Sequence, residues 1–219
     1  MPLALANGHF SNTIGFSRNY HSDRYEIRFE NFSFEFNMEL TITLDQLSNN
    51  ELQIYNEAGY QQRFSRTRIA NTSEDWFFKE YYQIHNEYLK LHEQSNDSFI
   101  KLESLKRLIF LNWYFEVEPA YFTGIQSLDK TSIFNSYNTL NFYIKENLLD
   151  EEFIWMLSFY SSWEFFILAY SKDKLDELTF FVNNADTSGL KLPKKSLPKG
   201  TMNNRGQMGI YWATIAEKD

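Results

Sequence analysis

No cysteine occurs among the 219 residues of the chain. That absence excludes at once a disulfide framework, a thiolate metal site, an iron–sulfur cluster and a cysteine nucleophile. Glycine is scarce at 8 residues, and proline scarcer at 4. Neither a G-x-x-x-x-G-K-[ST] loop nor a G-x-G-x-x-G turn is found, so the glycine-rich cradles that bring backbone N–H groups onto phosphates are missing. A G-x-S-x-G nucleophile elbow and the kinase signatures are missing too. Positive charge is in deficit: 21 basic residues face 29 acidic ones, for a net charge of −8, which disfavours nucleic acid as a partner. A long lipid-facing run is also lacking. The most apolar stretch, residues 154–170, is broken by Glu164 and by serines, and it falls short of the roughly 20 residues that cross a bilayer. The stretch from Met1 to Phe10 has no basic region of the kind that opens a signal peptide. The expectation is a cytoplasmic protein without membrane contact.

What the chain has in abundance is aromatic side chains: 21 Phe, 14 Tyr and 5 Trp, or 18% of the residues. Each buries roughly 150–250 Å² when packed, so a core built from rings is their first use. Tyr and Trp left outside would be natural anchors for a partner.

From Arg24 to Leu44 apolar and polar residues alternate. Tyr25, Ile27 and Phe29 share one phase, and Phe32, Phe34, Phe36, Met38, Leu40, Ile42 and Leu44 share the other. Period two predicts half-buried antiparallel strands, and the slip at Glu30-Asn31 requires a tight turn or a bulge. Further strands are expected at Leu52–Asn56 and Tyr60–Ile69, joined by Ala58-Gly59. Helical spacing follows. Phe77, Tyr81, Ile84, Tyr88 and Leu91 form one stripe, and a second helix starts near Asp97 or Ser98 and stops before Pro119. Two more are expected from about Ser132 to Asn147 and from Asp150 to about Ser162. Trp163–Tyr170 has the composition of a central strand, Lys172 to about Asn183 that of a short helix, and Gly209–Ala216 that of a closing strand. Between the last two, Thr187–Asn204 carries Pro193, Pro198, Gly189 and Gly200 and is expected to be a loop. The fold class these patterns predict is α+β. An antiparallel β region over 1–70 precedes a mainly helical region over 71–219, whose C-terminal strands return to a sheet.

Chemistry-bearing residues are dispersed. His85 and His92 lie seven residues apart on one expected helix, roughly 10 Å along its axis, too far to share a metal. His9 and His21 belong to no pattern, and no metal or other cofactor is implied. Glu164 stands in the most apolar segment, and Glu118 precedes Pro119; these two are the acid/base candidates, since carboxylates in apolar surroundings acquire raised pKa values. Basic residues gather in two acid-free stretches, Arg63, Arg66 and Arg68, then Lys194, Lys195, Lys199 and Arg205 with Lys191. An anion pocket for an enzyme or a small-ligand binder would draw on these groups.

Acidic residues also cluster: Glu26, Glu30, Glu35 and Glu39 along the predicted strands form an acidic face. A small, acidic, cysteine-free, aromatic-rich chain without catalytic signatures resembles, at the level of class, bacterial immunity and antitoxin proteins. That resemblance implies a non-enzymatic protein that neutralises or regulates a protein partner, such as a basic effector, by covering it with an acidic, aromatic surface. Negative potential would speed association with such a partner.

Overall fold

The computed structural model describes residues 26–29, 32–35, 42–64, 74–187 and 201–217. The chain divides into two units, Met1–Leu40 and Thr41–Asp219. In the first, strands β1 (Glu26–Phe29) and β2 (Phe32–Glu35) pair antiparallel. Ile27 faces Phe34 and Phe29 faces Phe32, while Glu26 faces Glu35. Among the described residues of this unit the sheet is a two-stranded ribbon of four residues a side.

The second unit is built from helices: α1 (Leu44–Phe64), α2 (Glu74–Gln94), α3 (Ser98–Val117), the single turn α4 (Ala120–Thr123), α5 (Lys130–Lys145), α6 (Glu151–Tyr160), α7 (Glu164–Ser171), α8 (Asp176–Asn184) and α9 (Gly206–Glu217). Among its described residues there is no strand, so the expected α+β fold is overturned at three places. Leu52–Asn56 and the described part of Tyr60–Ile69 belong to α1, which runs straight through Ala58-Gly59. Its start is set by a reciprocal capping box: Gln46 N–H donates to Thr43 Oγ1 (3.2 Å) and Thr43 N–H to Gln46 Oε1 (2.8 Å). From there Leu47, Ser48, Glu51 and Ile54 are buried at helical spacing. Trp163–Tyr170 is α7, entered through a 3₁₀ turn over Ser161–Trp163. Gly209–Ala216 lies within α9, where Met208 and Trp212 are buried four residues apart.

The helices read from 3.6-residue spacing stand where the pattern places them. In α2, Tyr81, Ile84, Tyr88 and Leu91 are buried. Helix α3 begins at Asp97, whose carboxylate accepts from Phe99 and Ile100 N–H. Asp129 caps α5 and Asp150 caps α6 in the same way. Helix α3 is the axis of the unit: residues 103–113 are all buried, and α2, α5 and α9 pack around it. Among the described residues, aromatic side chains supply much of the core. Trp113, Trp212, Tyr137, Tyr160, Phe110 and Phe153 are among the fully buried side chains, and Trp113 stacks on Tyr160 at 4.9 Å between ring centres. No helix among the described residues is long and apolar enough to cross a membrane.

Candidate functional site

Glu26 and Glu35 are cross-strand neighbours in the register of the ribbon. Arg63 lies in α1, and Glu30, Glu39, Arg66, Arg68, Lys194, Lys195 and Lys199 lie outside the described residues. Glu164 is exposed in the first turn of α7, and Glu118 is the half-buried residue that ends α3. Arg205 is buried.

Arg205 belongs to a polar network that runs through the interior. Its Nε and Nη2 donate to the two carboxylate oxygens of Glu103 at 2.8 and 2.6 Å. Its Nη1 and Nη2 also reach Glu152 at 3.0 and 2.7 Å. Lys106 completes that end, donating to Glu152 (2.9 Å) and Asp150 (2.6 Å). At the other end Glu103 accepts from Arg107 Nε (2.8 Å), and Arg107 Nη1 donates to Ser48 Oγ (2.6 Å) and to the Tyr88 hydroxyl (3.2 Å). Tyr88 in turn donates to Glu51 Oε1 at 2.5 Å, and Glu51 Oε2 accepts the backbone N–H of Gln207 at 3.0 Å. The Gln207 side chain donates to the Tyr81 hydroxyl and to the Thr123 carbonyl. Paired charges of this geometry hold α1, α2, α3, α6 and the segment entering α9 in one arrangement.

The electrostatics follow from that wiring. Burial pushes the Glu51 pKa up, against the lowering effect of Tyr88, the Gln207 N–H and Arg107. Burial also disfavours the Glu152 carboxylate, but hydrogen bonds from Arg205 and Lys106 override it and hold its pKa below the ordinary value. Burial lowers His85 to about 4, outweighing its hydrogen bond with Asn112. The groups with the largest shifts therefore sit inside the helical unit, and none of them lines either groove described next. Among the described residues no three His, Cys, Asp or Glu side chains could hold a metal ion together.

The surface feature with the chemistry of a binding site is α8. Leu175, Leu178 and Val182 face inward, Asn141 of α5 accepts the Leu178 N–H at 2.9 Å, and Thr179 donates to Ser171 of α7. With that face fixed inward, Phe180 must point away, and it is 68% exposed. On one side of it a groove of about 490 Å³ has Ile144, Ile154 and Phe181 among its lining residues, with Lys145 and Glu177 beside them. On the other side a groove of about 500 Å³ runs past Leu168, Lys172, Asp173 and Asp176. Phe180 lines both and forms the ridge between them. Ile154 is 43% exposed, so the apolar surface continues from α8 onto α6.

Sequence reasoning did not find this ridge. The signal was present in the Asp176–Asn184 segment: with Leu178 and Val182 inward on a 3.6-residue repeat, Phe180 has to face out. Tyr and Trp were the expected anchors, yet Trp113, Trp212, Tyr137 and Tyr160 are core, and among the described residues phenylalanines make up most of the exposed rings.

The chain matches no protein-family model, no curated protein and no solved structure. The α8 surface is therefore interpreted from its own chemistry.

Proposed function

We propose that this chain is a non-enzymatic binding protein that neutralises or regulates a protein partner, in the manner of immunity and antitoxin proteins, through an acidic and aromatic surface centred on α8. The observation that carries this reading is Phe180, a ring 68% exposed on a rigidly seated helix, between two open grooves bordered by Asp173, Asp176 and Glu177. Covering such a ring releases about 1.5–3 kcal/mol of hydrophobic free energy, the size of an interface hot spot. The surrounding carboxylates, in a chain of net charge −8, favour a basic partner and accelerate encounter with it.

The test is affinity purification from the native host with the unaltered chain and with Phe180→Asp, followed by reconstitution of the recovered complex from purified components. The substitution lies on an exposed face and leaves the core intact. The reading requires a partner whose association weakens at least tenfold in Phe180→Asp and slows as salt is raised. A partner held equally well by both proteins would refute the assignment of the surface.

A further inference from the structure

We propose that the partner docks onto α8 as a basic amphipathic helix, its apolar residues filling the grooves on either side of Phe180 and its Lys or Arg residues meeting Asp173, Asp176 and Glu177. This rests on the partner-binding function proposed above and names the element that binds.

Three observations lead to it. The first is backbone chemistry. An extended peptide on a protein surface gains affinity by hydrogen bonding to a sheet edge, and both grooves are lined by helices and the segments that join them. Among the described residues of this unit there is no strand to extend. A helix brings its N–H and C=O groups already paired, and so needs no backbone partner on this surface. The second is shape. The grooves run along the two sides of α8 and are open to solvent. A small molecule binds by burying most of its surface in a closed pocket, whereas a helix laid beside a ridge uses an open channel well. Ile144, Ile154 and Phe181 give the larger apolar contact on one flank, suited to residues spaced three and four apart.

The third is charge. The lining residues include the carboxylates of Asp173, Asp176 and Glu177 beside the ammonium groups of Lys145 and Lys172. Asp176 and Glu177 are in the first turn of α8. An acidic border beside the apolar floor of Ile144, Ile154, Phe180 and Phe181 is complementary to a cationic amphipathic helix and repels an acidic one. It also disfavours a second copy of this chain, which would set two acidic borders against each other.

The experiment uses the full chain and a synthetic helix-forming peptide of about four turns, made of leucine at i, i+3, i+4 and i+7 with lysine elsewhere. Titration is followed by amide chemical shifts. The proposal expects saturable binding with perturbations confined to α5, α6, α8 and the stretch from Leu168 to Asp173. Affinity should fall at least tenfold in Phe180→Asp and in Asp176→Lys/Glu177→Lys, and stay within twofold in Phe165→Asp, a control on α7 where the ring is 59% exposed. A peptide with glutamate in place of lysine should not bind. The proposal is overturned by absence of binding, by binding indifferent to Phe180, or by dimerisation of the chain through α8. It is overturned too if charge reversal of the basic residues in 188–200 is needed before the peptide binds, which would make that segment the occupant. A native partner that needs Phe180 but meets it with a loop or strand would overturn the helical element and leave the binding function standing. Loss of Phe180 sensitivity in both experiments would remove both.

Discussion

Replacing His85 by Gln is expected to remove about 3 kcal/mol of the stability that the helical unit loses on acidification to about pH 4. His85 is fully buried on α2. Asn112 uses its Nδ2 to donate to Ser136 Oγ at 2.8 Å, which turns its Oδ1 toward His85 Nε2 at 2.7 Å. Nε2 therefore carries the ring proton and donates, and Nδ1 meets no partner. A second proton would have to reside on buried, unsolvated Nδ1, and burial accordingly lowers the pKa from 6.5 to about 4. The unfolded chain takes up that proton near the ordinary value and the folded chain only near 4. Between those values the unfolded state binds more protons, so stability falls as pH falls, by about 1.4 kcal/mol per pH unit below 6 and about 3 kcal/mol in total by pH 4. That is a large share of the roughly 5–15 kcal/mol that holds a domain together. Gln reproduces the Nε2 donor to Asn112 and does not titrate. Urea unfolding followed by tryptophan fluorescence, with Trp113 buried in the core, gives the two stabilities at about pH 7 and about pH 4. Glu51, whose raised pKa works in the opposite sense, and His92, lowered by burial and working in the same sense, are common to both proteins and cancel in the difference. The reasoning fails if both proteins lose the same stability on acidification, or if the His85 imidazole titrates near 6.5 by NMR.

Two further substitutions probe the interior network. Gly206 holds φ +57°, and a Cβ there would lie 2.5 Å from Glu51 Oε1; Gly206→Ala should cost at least about 2 kcal/mol from backbone strain and the displaced cap, and a loss below 0.5 kcal/mol by urea unfolding would contradict that geometry. Arg205→Leu should cost about 3 kcal/mol, the low end for breaking a buried pair, because Glu103 keeps Arg107 and Glu152 keeps Lys106. Arg205→Lys should recover little, since an ammonium lacks the planar fork with which Arg205 makes four bonds to Glu103 and Glu152; a thermal melt unchanged in Arg205→Leu would instead make Arg205 a free surface cation.

The legible parts of the sequence were those in which one period persists over several turns. Tyr81, Ile84, Tyr88 and Leu91 mark α2 unmistakably, and the Asp97 and Asp150 caps mark α3 and α6. Within the alternation from Arg24 to Leu44, residues 26–29 and 32–35 are the paired strands that the period predicts, whereas Leu44 at its end opens α1, because it fits both a two-residue and a 3.6-residue repeat. The Thr43-x-x-Gln46 capping box that decides between them is a side-chain motif, not a hydrophobicity pattern. Trp163–Tyr170 and Gly209–Ala216 are short apolar runs, for which composition favours strand and tertiary contact decides for helix. The basic segment near Arg205 showed no acid in sequence, yet its guanidinium is matched by Glu103 and Glu152, 102 and 53 residues away. Long-range pairing of this kind leaves no local trace, and neither does the turning outward of Phe180 until its helix has been seated.

The bond between Glu51 and the Gln207 N–H spans 156 residues, which carries a consequence for how the protein is made. At about 5–20 residues per second the ribosome needs roughly 10–30 s to travel from one to the other. Throughout that interval α1 has no terminal helix to dock against, and Glu51 stays solvated and charged. The bundle can close only after synthesis has passed Gln207, so a nascent chain stalled before that point exposes the apolar flanks of α1 and α3 and becomes a client for chaperones.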